Sequence, residues 1–250
     1  MIKKIIVFGD IHGRDCWKKV VENFEADLYI FLGDYFTSRE LISVEDQIKN
    51  YEEILKFKTE NPDKVIMNIG NHDTEAMKYY WAECYPQFCS TYLREEDNKQ
   101  FFLDNTQWCH VIDNIVFSHA GITKVWFDDV ITKYPEVQTF EDLNKLEPSE
   151  IFGFIPAGTY DCYGDSYTQS LTWIRPEALK GCAVENTIYV VGHTRPFSGC
   201  ITVMDKKGIH TLEKEVIESD CIVQCDVLPK QFLMITIEDG VKTFESLNIP

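Results

Sequence analysis

Short apolar runs punctuate the chain, with room for one helix between early neighbours. KIIVF (4–8), LYIFL (28–32), KVIMNI (64–69), NIVFS (114–118) and TIYVVG (187–192) are apolar at odd and even positions alike, as strands buried on both faces are. Between the first two, Trp17, Val20, Val21 and Phe24 fall at i, i+3, i+4 and i+7, the stripe of an amphipathic helix. Val44, Ile48, Tyr51 and Leu55 repeat a helical stripe before the third run. Strand–helix–strand–helix–strand is the order of a parallel-sheet α/β core.

Farther along, the pattern loosens. Met77, Tyr80, Trp81 and Cys84 mark another helical stripe, so residues 75–108 read as a helical insertion. Residues 122–180 carry FGFIPAGTYDCYGDSY without periodicity and read as an irregular loop insertion, the kind of segment that forms lids or binding loops. After residue 195, CITVM, GIHTL, CIVQC, FLMITI and VKTFES are short strands, expected to form an antiparallel tail that completes a second sheet. No repeat, low-complexity tract or linker divides the sequence, so residues 1–250 read as one domain.

Polar chemistry gathers where the apolar runs end. FGDIHGR brings Asp10 and His12, LGDY brings Asp34, and IGNHD brings Asn71, His72 and Asp73. FSHAG brings His119, and VGHTRP brings His193. Ligands of open α/β sheets bind beyond the carboxyl ends of the strands, so these ends can meet in one crevice. Four of the six histidines occupy such positions, while His110 and His210 read as structural or surface residues. Carboxylate, amide and imidazole together suit Mn, Fe, Zn and similar ions.

Charge narrows the partners. A net charge of −17 and a pI near 4.7 weigh against a grip on long nucleic acid, which calls for a basic stripe. Small phosphorylated substrates stay open, because a bound metal dominates its local field. The apolar run in MIKKIIVFGD is too short for a signal-peptide core and reads as a first strand, and no window reaches the length of a membrane span. The nine cysteines include no CxxC pair and read as small buried hydrophobes in a reducing, cytoplasmic setting.

The ordered set GDIHG, GD, GNHD, HAG and GHT, spanning residues 9 to 194, resembles the calcineurin-like metallophosphoesterase superfamily. GDIHGR and SHAG resemble its branch of phosphoprotein phosphatases and bacterial diadenosine-tetraphosphatase-like enzymes. The resemblance implies a four-layer α/β/β/α sandwich around two divalent or trivalent metal ions, Mn foremost, with Fe, Zn, Ni or Co also accommodated. Asp10 and His12 would bind one ion, Asp34 would bridge both, and Asn71, His119 and His193 would hold the second. Two ions sharing a carboxylate acidify a bound water, making hydroxide available at neutral pH for in-line attack on phosphorus. His72, next to Asn71 but not a ligand, would protonate the leaving oxygen. Arg175, in LTWIRPE, resembles an LWxRP segment whose arginine contacts phosphate. Arg14, and as an alternative Arg195, could grip phosphate oxygens in the same bidentate way. Asp73 either supports the histidines or caps the helix that begins at Thr74.

The second motif departs from the pattern. In the phosphoprotein phosphatases it continues GDxVDRG, whereas this chain has Thr37 and Ser38 at the Asp–Arg positions and Arg39 displaced by one residue. A carboxylate that would orient His72 and raise its basicity is thereby missing. Good leaving groups, aryl phosphates and phosphoanhydrides, depend least on that acid. The expected activity is hydrolysis of a phosphomonoester or small phosphoanhydride, on a small molecule or a phosphoprotein. A phosphodiesterase acting on cyclic or dinucleotides and a catalytically lapsed metal-binding scaffold are the competing readings.

Overall fold

The computed structural model describes residues 2–77, 92–152, 161 and 163–250. Beyond Met77, the stripe ending at Cys84 lies outside the described residues, as does much of FGFIPAGTYDCY.

The described strands make two six-stranded sheets. In the first, β1 (Ile2–Phe8), β2 (Leu28–Phe31) and β3 (Val65–Met67) run parallel. Strands β11 (Gln231–Glu238), β12 (Val241–Asn248) and β9 (Lys214–Val216) extend it antiparallel, in the order β3-β2-β1-β11-β12-β9. In the second, β5 (Ile115–Ser118), β6 (Ile188–Val191) and β10 (Cys221–Gln224) run parallel. The antiparallel strands β4 (Cys109–Ile112), β7 (Thr202–Asp205) and β8 (Gly208–Thr211) flank them, giving β4-β5-β6-β10-β7-β8.

Side-chain alternation builds the layers. Ile5, Val7, Leu28 and Ile30 of the first sheet share one buried cluster with Ile115, Phe117, Ile188, Val190 and Val223 of the second, so these residues fill the space between the sheets. The alternate residues Ile6, Phe8, Tyr29 and Phe31 face outward into a cluster that holds the helices. Trp17 of α1 (Trp17–Asn23) meets Phe31 edge-on at 5.7 Å, and Phe57 of α2 (Val44–Glu60) meets Tyr29 at 5.4 Å. On the other sheet, Val116, Tyr189 and Ile222 are buried with Trp126 of α5 (Lys124–Lys133) and Leu179 of α7 (Pro176–Gly181). The helices α3 (Asn71–Ala76), α4 (Glu96–Asn105) and α6 (Pro148–Phe152) lie in the connections. Helices flank both sheets, the four-layer α/β/β/α arrangement that the resemblance implies.

Two expectations need correction. The β-rich tail does not complete one sheet: β10, β7 and β8 join the second, whereas β9, β11 and β12 join the first. Nor is it wholly antiparallel, since Cys221 pairs with Ile188 in a parallel register. Strand propensity marks where a strand lies but not which edge receives it, and that is decided by packing. The hairpin strand β4, turned at Asp113 with φ 53°, and the strand β9 also escaped the apolar-run reading because their burial is only partial.

Helix α2 shows how the fold reaches the site. Ser43 caps it by accepting a hydrogen bond from the Asp46 amide (3.1 Å), and acidic Glu45 and Asp46 sit in the first turn, where the helix dipole favours them. Its buried polar residues then hold two loops: Asn50 donates to the Arg14 carbonyl (3.1 Å), and Gln47 accepts from the Ser38 amide (3.0 Å).

Candidate metal centre

All six parallel strands release their loops toward one place. The loop after β1 is laddered to the loop after β2: the Ile11, His12 and Gly13 amides donate to the Gly33, Asp34 and Tyr35 carbonyls. His12, Asp34 and His193 adopt positive φ angles of 45°, 54° and 61°, conformations that cost non-glycine residues about 1–3 kcal/mol each. Such strain persists only where the surroundings over-determine it. Glycine permits the close approach behind two of the carboxylates. A Cβ on Gly70 would lie 2.1 Å from Asp34 Oδ1, and one on Gly192 would lie 2.2 Å from Asp10 Oδ1.

Asp73 organises this backbone. Its Oδ2 accepts from the Asp34 and Gly70 amides (both 2.8 Å), and its Oδ1 accepts from the Tyr35 amide (2.9 Å). It is a reverse cap of α3 that also clamps the β2 loop, and neither oxygen bonds a histidine among the described residues. Helix α3 begins at Asn71, not at Thr74.

Three imidazoles are aimed by backbone carbonyls. His12 Nδ1 lies 2.9 Å from the Phe36 carbonyl, His119 Nδ1 lies 2.9 Å from the Leu32 carbonyl, and His193 Nε2 lies 3.2 Å from the Trp173 carbonyl. A carbonyl only accepts, so each of these nitrogens carries the proton and the other keeps its lone pair. Those lone pairs converge. His119 Nε2 and His193 Nδ1 both lie 2.9 Å from Asn71 Oδ1, and His12 Nε2 is 3.8 Å from oxygens of Asp10 and Asp34. Lone pair facing lone pair is repulsive, and a cation among them turns each contact into a bond. Imidazoles oriented from behind by a carbonyl are the usual supporting arrangement for metal ligands.

Two clusters of donor atoms, Asp10–Asp34–His119 and His12–Asp34–His72, each lie within 4.8 Å and share Asp34. The donor set therefore fits metal binding, with Asp34 common to both clusters. The structure brings Asp10, His12, Asp34, Asn71, His119 and His193 together, and it places His72 beside them.

Electrostatics point the same way. Burial, reinforced by Asp226, pushes the Asp10 carboxyl well above its usual range, and burial with Asp73 nearby does the same to Asp34. Burial lowers His12 to about 4 and His72 to about 3, and it depresses His193 strongly. The protein alone thus disfavours the charged forms of Asp10, Asp34, His12, His72 and His193, and positive charge bound there would restore the carboxylates.

The arginines line the rim. Arg14 Nε donates to Glu40 (2.8 Å) and its Nη1 to the Asp10 carbonyl (3.2 Å). Arg175 Nε donates to the Tyr163 carbonyl (3.2 Å), and its Nη1 reaches Thr194 Oγ1 (3.0 Å) and the His193 carbonyl (3.4 Å). Arg195 is exposed, and His210 lies away from the centre against Glu215 (3.1 Å). Two residues near the centre, Asp226 and Glu75, were not singled out from the sequence. Asp226 follows β10 and, added to burial, raises Asp10, while Arg39 adds a small part to the lowering of His12 and His72 that burial dominates. Glu75 lies one helical turn beyond His72. The signal for Asp226 was present: CIVQCD is an apolar run ending in a carboxylate.

Residues 3–216 match the family model described as calcineurin-like phosphoesterase. The chain belongs to this family. Its members are metal-dependent phosphoester hydrolases, in keeping with the cluster of candidate ligands. No curated protein matches the chain in sequence. Among solved structures, a metallophosphoesterase from Sphaerobacter thermophilus shares 11% identity, with a TM-score of 0.51 over 100% of this chain and 89% of that one. A cold-active protein-tyrosine phosphatase from a psychrophilic Shewanella species shares 16% identity, with a TM-score of 0.52 over 100% and 81%. A protein serine/threonine phosphatase from Saccharomyces cerevisiae shares 15% identity, with a TM-score of 0.50 over 99% and 81%. At these identities the likeness is one of fold. Among the described residues no helix is long and apolar enough to cross a membrane.

Proposed function

We propose that the protein is a phosphatase that hydrolyses a phosphomonoester or small phosphoanhydride at a binuclear metal centre. Asp10 and His12 would hold one ion, Asn71, His119 and His193 would hold the other, and Asp34 would serve both, with Mn the best-suited metal. The observation that supports this reading is the place of Asp34 in both donor clusters, Asp10–Asp34–His119 and His12–Asp34–His72, with the carbonyl-anchored His12 and His119 among them; the division of ligands between the two ions follows the family resemblance. When bound, the ions supply an acidified water and neutralise phosphate charge.

The chain's own residues do the rest. Carbonyl anchors hold the three imidazoles in ligating tautomers. His72 gives its proton to the leaving oxygen, and a bound phosphate dianion beside the ring favours the imidazolium that this requires. Arg175 and Arg14, held at the rim, present guanidinium groups to phosphate oxygens. The acidic surface favours compact phosphorylated substrates, small molecules or phosphoprotein side chains, over long nucleic acid.

The test is to assay p-nitrophenyl phosphate and its bis ester with added Mn, alongside Asp34→Asn. Monoester turnover that Asp34→Asn abolishes is the expected result. Turnover of the bis ester alone would make the protein a phosphodiesterase, and no turnover with any of several metals would overturn the enzyme reading.

A further inference from the structure

Two buried polar atoms beside the metal centre have no hydrogen-bond partner among the described residues, and they face each other: His72 Nδ1 and Glu75 Oε2, 3.8 Å apart. They belong to the same helix, α3, three positions apart, the spacing that stacks side chains on one face. A buried polar atom left unpaired costs about 1–3 kcal/mol, so two such atoms within one side-chain rotation of each other are the natural partners.

Other carboxylates near the ring are already committed. Asp73 accepts three backbone amides, and Asp34 Oδ1 accepts the His72 amide (2.9 Å). The loop after β2 offers none, since Thr37 and Ser38 carry hydroxyls and Glu40 is paired with Arg14 at 2.8 Å. Ser38 Oγ is taken by the Glu40 amide (3.1 Å). Glu75 is thus the carboxylate left to serve His72.

We propose that Glu75 is the positioning residue of His72: its carboxylate accepts the Nδ1–H and leaves Nε2 to face the centre as proton donor. The role rests on His72 acting as the acid in the proposed phosphatase reaction. As the P–O bond breaks, its electron pair stays on the leaving oxygen, which takes the proton from Nε2. The ring is left neutral, with its Nδ1–H still held by Glu75. The sequence offered this pair in NHDTE, but only helical geometry turns the spacing into a contact.

The experiment compares Glu75→Met, which keeps the length and removes the acceptor, with the unmodified protein, each also carrying His72→Ala. With Mn added, Glu75→Met should slow glycerol 2-phosphate, whose alkoxide leaves poorly, roughly tenfold more than p-nitrophenyl phosphate. In the His72→Ala background, Glu75→Met should cost nothing further on either substrate. Equal slowing of both substrates, or the same slowing without His72, would overturn the proposal. A second arm needs no turnover: above about pH 7, where Glu75 is ionised, histidine-selective nitrogen-15 spectra of the metal-free protein should show His72 as the Nδ1–H tautomer, shifting toward Nε2–H in Glu75→Met. An unchanged tautomer would overturn the role of Glu75 even in an active enzyme. A shifted tautomer in a protein inert toward both substrates would sustain the contact and count against the phosphatase reading alone.

Discussion

Each of the two sheets has three neighbouring parallel strands, and among the described residues five of these six supply the candidate donors. The first sheet contributes Asp10, His12, Asp34 and Asn71 beyond β1, β2 and β3, and the second contributes His119 and His193 beyond β5 and β6. One side is rich in carboxylates and the other in imidazoles. The antiparallel strands β11, β12, β9, β4, β7 and β8 widen the sheets and carry none of the cluster. Parallel strands send all their carboxyl ends to one edge, whereas an antiparallel hairpin sends alternate ends away. Neither sheet alone presents the whole set of candidate ligands, which come together only where the two edges meet.

The sharpest break of this division is Asp34→Asn, because Asp34 serves both clusters. Residues that merely support a ligand cost 10–100-fold when lost, so activity should fall more than about 100-fold, with metal content measured by mass spectrometry falling too. Next come the glycines on the two sides. Gly70→Ala and Gly192→Ala drive a methyl into Asp34 and Asp10 respectively, so each should cost about 1–3 kcal/mol in thermal melts and weaken metal uptake. If only Gly70→Ala matters, the second sheet does not buttress the first sheet's carboxylates.

Smaller effects separate the rim from the centre. Arg175→Ala should raise KM roughly tenfold on p-nitrophenyl phosphate and leave metal content unchanged if, as proposed, the arginine meets phosphate through charge-assisted hydrogen bonds. Asp226→Asn should raise the melting temperature of the metal-free protein slightly, because it removes a negative charge that opposes ionisation of Asp10. An unchanged melting temperature would place Asp226 outside the cluster's electrostatics.

The smallest effect is one of pH. Burial raises Glu75 from 4.5 to about 7, so the folded metal-free protein holds a proton there that the unfolded chain releases earlier. The stability Glu75 contributes is therefore fully present below about pH 4.5 and is lost as pH rises through about 7. Relative to Glu75→Met, the unmodified protein should lose melting temperature across that interval.

The candidate ligands were legible because each sits at the end of a run whose burial makes it unmistakable. Asp10, Asp34, Asn71, His119 and His193 follow runs buried on both faces, and the polar switch after such a run is abrupt. Asp226 obeys the same rule, but its strand reads from sequence as part of an antiparallel tail, where a terminal carboxylate carries no signal. Glu75 was passed over for a different reason: it has no motif, only a neighbour one turn away. The role of Asp73 stayed divided between histidine support and helix cap until its three amide bonds appeared.

The sequence by itself determined which segments bury, where the polar turns interrupt them, and which side chains at those turns can bind a metal. These are local properties, set by hydrophobic periodicity and side-chain chemistry. Tertiary structure alone decided which sheet each strand joins, which lone pair each imidazole turns inward, and that Glu75 comes within 3.8 Å of His72. Those outcomes depend on contacts between residues far apart in the chain, such as His119 on the Leu32 carbonyl and His193 on that of Trp173, and periodicity does not encode them.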